Sequence, residues 1–139
     1  MVDQAIIMVK LANIKKSMDR LKGKKDITLE EFLVNMDAQD IVMMNMQVAI
    51  QGCIDLASHI VSDSDWGVPG SIAGLFDILY EHKVIAEKTM GIMRQMTGFR
   101  NLIVHEYAKL DMYRVYEIFN SRLGDINYYL KEVILYAKL

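Results

Sequence analysis

The chain has 139 residues, with sixteen Lys and Arg against eighteen Asp and Glu and a formal net charge of −2. That length predicts one domain able to bury a core without disulfides or metal. The slightly acidic balance excludes a protein that grips long nucleic acid by bulk positive charge, and the single cysteine, Cys53, excludes an internal disulfide framework or a Cys-based zinc site within one chain. One Pro, eleven Met and a 53% apolar content give an all-helical profile. Met1 to Lys10 mixes Asp3, Gln4 and Lys10 with apolar groups and does not read as a signal peptide. With no run of about 18 uncharged apolar residues, the expectation is a soluble cytoplasmic protein without a membrane span.

In chain order, Ile7, Leu11, Ile14, Met18 and Leu21 step by four and three, which predicts one buried helical face with Lys10, Lys15, Lys16 and Arg20 off the stripe. Gly23, Lys24 and Lys25 end this helix. Thr28 and Glu31 have capping-box spacing, and a long second helical region is predicted from there to about Val61. Val42, Met46, Ala49, Cys53, Leu56 and Ile60 form its stripe, widened by Ile50, Ile54, Ala57 and Val61. A helix apolar over most of its girth is covered on several sides, and a partner subunit could supply one of them. Asp55 and His59 are four apart and can pair on one face; alternatively, Asp55 supports a reactive Arg or His from behind.

Ser62 to Gly70 reads as a loop. Ser71 reads as the cap of a short helix through Ile72, Leu75, Phe76 and Leu79, with His82 past its end. Helical character resumes from Ile85 to Met96, and Gly98 is expected to break it. Asp111 reads as the cap of a last helix, in which Met112, Val115, Phe119, Leu123, Ile126, Leu130, Val133 and Ala137 step by three and four. Tyr113, Tyr116, Tyr128, Tyr129 and Tyr136 suit packing and boundary roles. The predicted fold is an all-α, up-down bundle of four to five helices in a single domain, residues 1–139.

Phe99 to Tyr107 holds the densest cluster of reactive groups. Arg100 offers a fixed positive charge and a planar fork suited to phosphate. His105 belongs to the residue type that exchanges protons near neutral pH, and the Tyr107 hydroxyl can bond or accept a transferred group. Together they suit a phosphodiester. Residues five apart lie about 140° apart round an ideal helix, so Arg100 and His105 do not point the same way within one helix. Spacing alone describes equally well an Arg near a helix end, a satisfied His and a surface Tyr.

Arg100-Asn101 followed by His105-Glu106-Tyr107 resembles the Arg-x4-His-x-Tyr signature of HEPN-domain proteins. The segments Gly98–Tyr107 and Gln47–Ile60 resemble the HepT-like ribonuclease toxins of HepT/MntA toxin–antitoxin modules, and the likeness covers essentially the whole chain. The resemblance implies an all-helical homodimer that cleaves RNA, with tRNA the favoured substrate, using no metal or cofactor. It implies that Arg and His from both subunits meet in a cleft at the dimer interface. His105 would then act as general base or acid and Arg100 would hold the phosphate. Asn101 would add a polar contact, and Asp55 would be a supporting residue. It further implies a nucleotidyltransferase antitoxin of the MntA kind, which neutralises the toxin by moving AMP onto Tyr107. A reading from another class has the same fold: a non-catalytic helical dimer that serves as binding subunit for a nucleotidyltransferase. A third has the Arg–His cleft bind nucleotide without cutting.

Overall fold

The computed structural model describes residues 2–139. Among them are seven α-helices and one 3-10 turn: α1 (Gln4–Lys22), α2 (Leu29–Val34), α3 (Met36–Asp63), α4 (Gly74–Glu81), α5 (Glu87–His105), the turn Tyr107–Lys109, α6 (Met112–Ser121) and α7 (Leu123–Ala137). No strand occurs among the described residues. Taking α2 as the lead-in to α3, and α6 with α7 as one interrupted run, the helices form five rods, so the all-α bundle expected from the periodicity is what the chain builds.

Capping explains most of the boundaries. The Asp3 side chain accepts from the amides of Ala5 and Ile6, where α1 starts. Thr28 accepts from the Glu31 amide at 3.2 Å, as its capping-box spacing requires. The single second helix expected from Thr28 to Val61 is instead two. Asn35 adopts an extended conformation and its side chain accepts from the Ala38 amide at 3.0 Å, so it ends α2 and caps α3. Ser71 Oγ accepts from the Gly74 amide at 3.1 Å, and the short helix begins at Gly74. Asp111 caps α6 through the Tyr113 amide at 2.9 Å. The last helix is likewise two, because the chain turns at Arg122 between α6 and α7.

α3 is the axis of the bundle. All ten of its predicted stripe residues, from Val42 to Val61, are buried. By length and composition α3 could cross a bilayer, yet here its apolar girth is covered by α1, α4, α5, α6 and α7. The α1–α3 contact is close enough that a Cβ on Gly52 would lie 2.4 Å from Ile14 Cγ1. The Asp3 amide donates to Asp63 Oδ2 at 3.0 Å. The two contacts together make α1 and α3 antiparallel. α7 is fastened to α3 by Tyr129, fully buried, whose hydroxyl donates to the Cys53 carbonyl at 2.9 Å. Burial pushes the Cys53 thiol up from its ordinary range. It also pushes the Tyr129 hydroxyl well above its own, helped by the nearby Cys53 and Glu132.

Candidate functional site

α5 carries the candidate residues Arg100 and His105. Gly98 was expected to end a helix, but α5 runs through it to His105. An exposed helical Gly costs only about 1 kcal/mol relative to Ala, and the buried neighbours Met96, Thr97 and Phe99 hold the turn in place. Arg100 and His105 therefore share one rigid rod, about 7.5 Å apart along its axis and about 140° apart around it.

The two differ in environment. Arg100 is half-buried. Its Nη1 donates to Asn101 Oδ1 at 2.9 Å, while its Nε is buried without a partner. A buried guanidinium N–H left unpaired is costly, so this group retains unspent hydrogen-bonding capacity. His105 is exposed at the last turn of α5.

Glu106 leaves helical geometry, with φ −134° and ψ 35°, and turns the chain into Tyr107–Lys109. Tyr107 is about half exposed, at 48%. Its hydroxyl donates to the carboxylate of Asp40 on α3. That bond, followed by desolvation and the carboxylate's charge, raises the hydroxyl's pKa above its ordinary value. Asp40 joins the candidate site through this bond, and the periodicity does not single it out. Its partner is remote in sequence, and nothing local to residue 40 signals the pairing.

Asp55 is placed elsewhere. It is exposed, accepts from Gln51 Nε2 at 3.0 Å and lines a groove between α1 and α3 together with Lys16, Gln47 and Gln51. No residue of Phe99–Tyr107 lines that groove. The expected Asp55–His59 pairing is replaced by the Gln51 contact, and His59 Nε2 is buried without a partner. His82 is exposed as expected, but its ring stacks on Trp66 with centroids 4.0 Å apart.

Among the described residues, none of the main concavities is lined by Arg100 or His105. The larger concavity near α5, about 610 Å³, lies between α5, α6 and α7 and is lined by Gln95, Gly98, Phe99, Leu102, Arg114 and Arg122 among others, but by neither reactive residue. Exposed apolar groups occur on the same helices: Leu102 and Val104 on α5, and Met36 and Met44 on α3, each one turn from Asp40. No cluster of His, Cys, Asp or Glu among the described residues has the makings of a metal site.

The family described as HepT-like, ribonuclease HepT-like, matches residues 14–133. The chain belongs to the ribonuclease HepT-like family. Ribonuclease is the enzyme class that goes with this membership, and the likeness read from Gly98–Tyr107 extends over the whole fold. The mRNA nuclease HepT of Shewanella oneidensis is 29% identical over 133 residues, covering 90% of this chain and 93% of that protein. The tRNA nuclease HepT of Aphanizomenon flos-aquae is 25% identical over 135 residues, covering 97% and 92%. Among solved structures, the tri-AMPylated HEPN toxin of Shewanella oneidensis in complex with MNT antitoxin superposes with a TM-score of 0.84 at 28% identity, covering 97% of this chain and 99% of that one.

Proposed function

We propose that this chain is the toxin of a toxin–antitoxin module, an endoribonuclease whose site is completed by two copies. The observation that carries this reading is the end of α5 in a ribonuclease HepT-like chain. An exposed His105, an Arg100 with an unpaired N–H and a reachable Tyr107 hydroxyl stand within eight residues, yet the main concavity beside α5 takes in none of them. A second copy set against the exposed apolar groups of α3 and α5 would bring the missing Arg or His.

The chemistry needs only these side chains and the substrate. His105 takes the proton from a ribose 2′-hydroxyl, whose oxygen attacks the neighbouring phosphorus. The bond to the 5′-oxygen breaks, leaving a 2′,3′-cyclic phosphate and, after protonation, a free 5′-hydroxyl. Arg100 holds the non-bridging oxygens while charge builds on them. Because the attacking group belongs to the RNA, the step requires neither metal nor cofactor. Asn101 fixes the Arg100 fork; Asp55 serves at most through α3, from its place on the α1–α3 groove.

Control falls to Tyr107. A nucleotidyltransferase antitoxin supplies ATP; the Tyr107 oxygen bonds to the α-phosphorus, pyrophosphate leaves and the hydroxyl proton is released. The new phosphodiester places negative charge two residues from His105 and repels the phosphate of an incoming RNA. On this reading the protein works in the cytoplasm, where its substrate is made. Relatives are named for both mRNA and tRNA cleavage, so the test uses both RNAs. Purified wild-type chain should cut at least one, leaving cyclic-phosphate ends, and His105→Ala should cut neither. A wild-type chain that binds the antitoxin but cuts no RNA would make it a non-catalytic binding subunit.

A further inference from the structure

The chain's positive charge is unevenly placed. Residues 10–25 carry seven of the sixteen Lys and Arg and only one of the eighteen acids, so this segment stands at +6 while the rest of the chain stands at −8. The segment is the second half of α1 and the turn that follows it. Ile14, Met18 and Leu21 bury its inner face. Lys15, Arg20, Lys22 and Lys25 are exposed and Lys24 is half-exposed, while the exposed Lys16 lines the α1–α3 groove. One cation is matched within the segment, by the Lys15–Asp19 pair at 3.0 Å.

The position of this strip gives it meaning. α1 and α3 run antiparallel, fixed by the contact of Asp3 with Asp63 and by Ile14 packed on Gly52. At equal rise per residue, that register sets Lys22, the last residue of α1, about level with Met44, about one turn of α3 from Asp40. Asp40 holds the Tyr107 hydroxyl, two residues from His105. The positive end of α1 and the end of α5 that carries His105 are therefore at the same end of the bundle, with α3 between them. Exposed Asp26 directly follows the segment, and Glu30 and Glu31 are exposed on α2 beyond it.

We infer that the positive end of α1 and the turn after it, around Lys22, Lys24 and Lys25, is a docking surface for the RNA backbone, holding phosphates of the strand that leads into the Arg100–His105 cleft. The inference rests on the ribonuclease reading and adds where the substrate is held outside the reacting phosphate. It also reconciles an acidic protein with a polyanionic substrate. Exposed lysines on a helix are mobile point charges that take phosphates by charge and without sequence preference. Such contacts release counterions, so their number is read from the dependence of binding on salt. The rest of the chain carries a formal charge of −8, so on average it attracts RNA less than this segment does.

Binding of a labelled tRNA is measured from 50 to 300 mM salt with the non-cutting His105→Ala chain, alone and combined with Lys22→Gln, Lys24→Gln and Lys25→Gln. A control removes the same charge from the far end of the bundle, by Lys83→Gln, Lys88→Gln and Lys131→Gln. If all three strip residues meet phosphate, the strip variant binds at least about tenfold more weakly near 0.1 M salt, with the log–log salt slope flattened by roughly 2, from about 0.7 per contact on a single strand. The far-end control binds as the parent does, and Arg at the three strip positions restores the slope. Equal losses in both variants, or no loss in the strip variant, overturn the inference. So does a strip variant that keeps its RNA affinity and loses the antitoxin, because the surface then belongs to that partner. Thermal melts confirm that each variant is folded. Failure of the underlying reading looks different: the chain with His105 intact would cut neither tRNA nor mRNA.

Discussion

The Tyr107 hydroxyl donates a hydrogen bond to the Asp40 carboxylate, joining the turn after α5 to the first turns of α3. The carboxylate holds the hydroxyl's pKa above its ordinary value, chiefly through that bond. Asp40→Asn should therefore bring the Tyr107 titration down toward the ordinary Tyr value of about 10. Carbon NMR of the labelled ring, assigned with Tyr107→Phe, reads this directly. The proton is held more tightly in the folded chain, so the contact stabilises the fold fully at neutral pH. The contribution is lost as pH climbs through the raised folded pKa. An unchanged titration in Asp40→Asn would remove Asp40 as the cause.

Arg100→Ala and His105→Ala should each abolish RNA cleavage with little loss of stability, because His105 is exposed and Arg100 is only half-buried. Mixing the two inactive proteins gives a sharper result. If each site takes Arg from one copy and His from the other, a mixed dimer has one intact pairing and activity returns. Mixtures that stay inactive, although mass spectrometry detects the mixed dimer, would place both groups of a site on the same chain.

Tyr107→Phe should cut RNA and remain active in the presence of antitoxin and ATP. The ring is half exposed and the lost hydroxyl serves only the Asp40 contact, so the melting temperature should move by a few degrees at most. Intact-mass analysis should find AMP on the wild type and none on the variant. AMP added to Tyr107→Phe, with silencing intact, would put the acceptor elsewhere.

Gly52→Ala should destabilise the chain by about 1–3 kcal/mol, because the added methyl meets Ile14 at 2.4 Å in a packed core. Urea unfolding measures the loss. Combining it with Ile14→Ala should cost less than the two single losses added together, since the smaller side chain vacates the space. Strict additivity would mean that the helices separate instead.

The Cys53 thiol is fully buried and its pKa is raised by that burial, so thiolate is scarce in the folded chain. A disulfide-exchange reagent should leave it untouched at neutral pH and modify it at the rate of unfolding. Fast modification in native buffer would contradict the packing around Cys53.

Much of the bundle was legible because burial writes a period into the sequence. The stripes of α1 and α3 and most of α6 and α7 mark positions that are buried or half-buried. The missed boundaries are those where capping, not periodicity, decides. Asn35 sits between two apolar residues and does not interrupt the stripe, and Leu123 keeps the rhythm across the turn at Arg122. Gly98 misled in the other direction, since its flexibility is overruled by buried neighbours. The reactive residues were legible as chemical types in one short segment. Asp40 was not, because its tie to Tyr107 arises only when α3 and the end of α5 are brought together.

α5 continues unbroken through Gly98 to His105. A continuous rod fixes the spacing of the guanidinium and the imidazole as firmly as bond lengths fix a ruler. No hinge or loop rearrangement between them is available as an off-switch. On the proposed reading, silencing such a catalyst calls for an obstruction laid over the groups from outside, and Tyr107, just past the end of the ruler, would be its point of attachment.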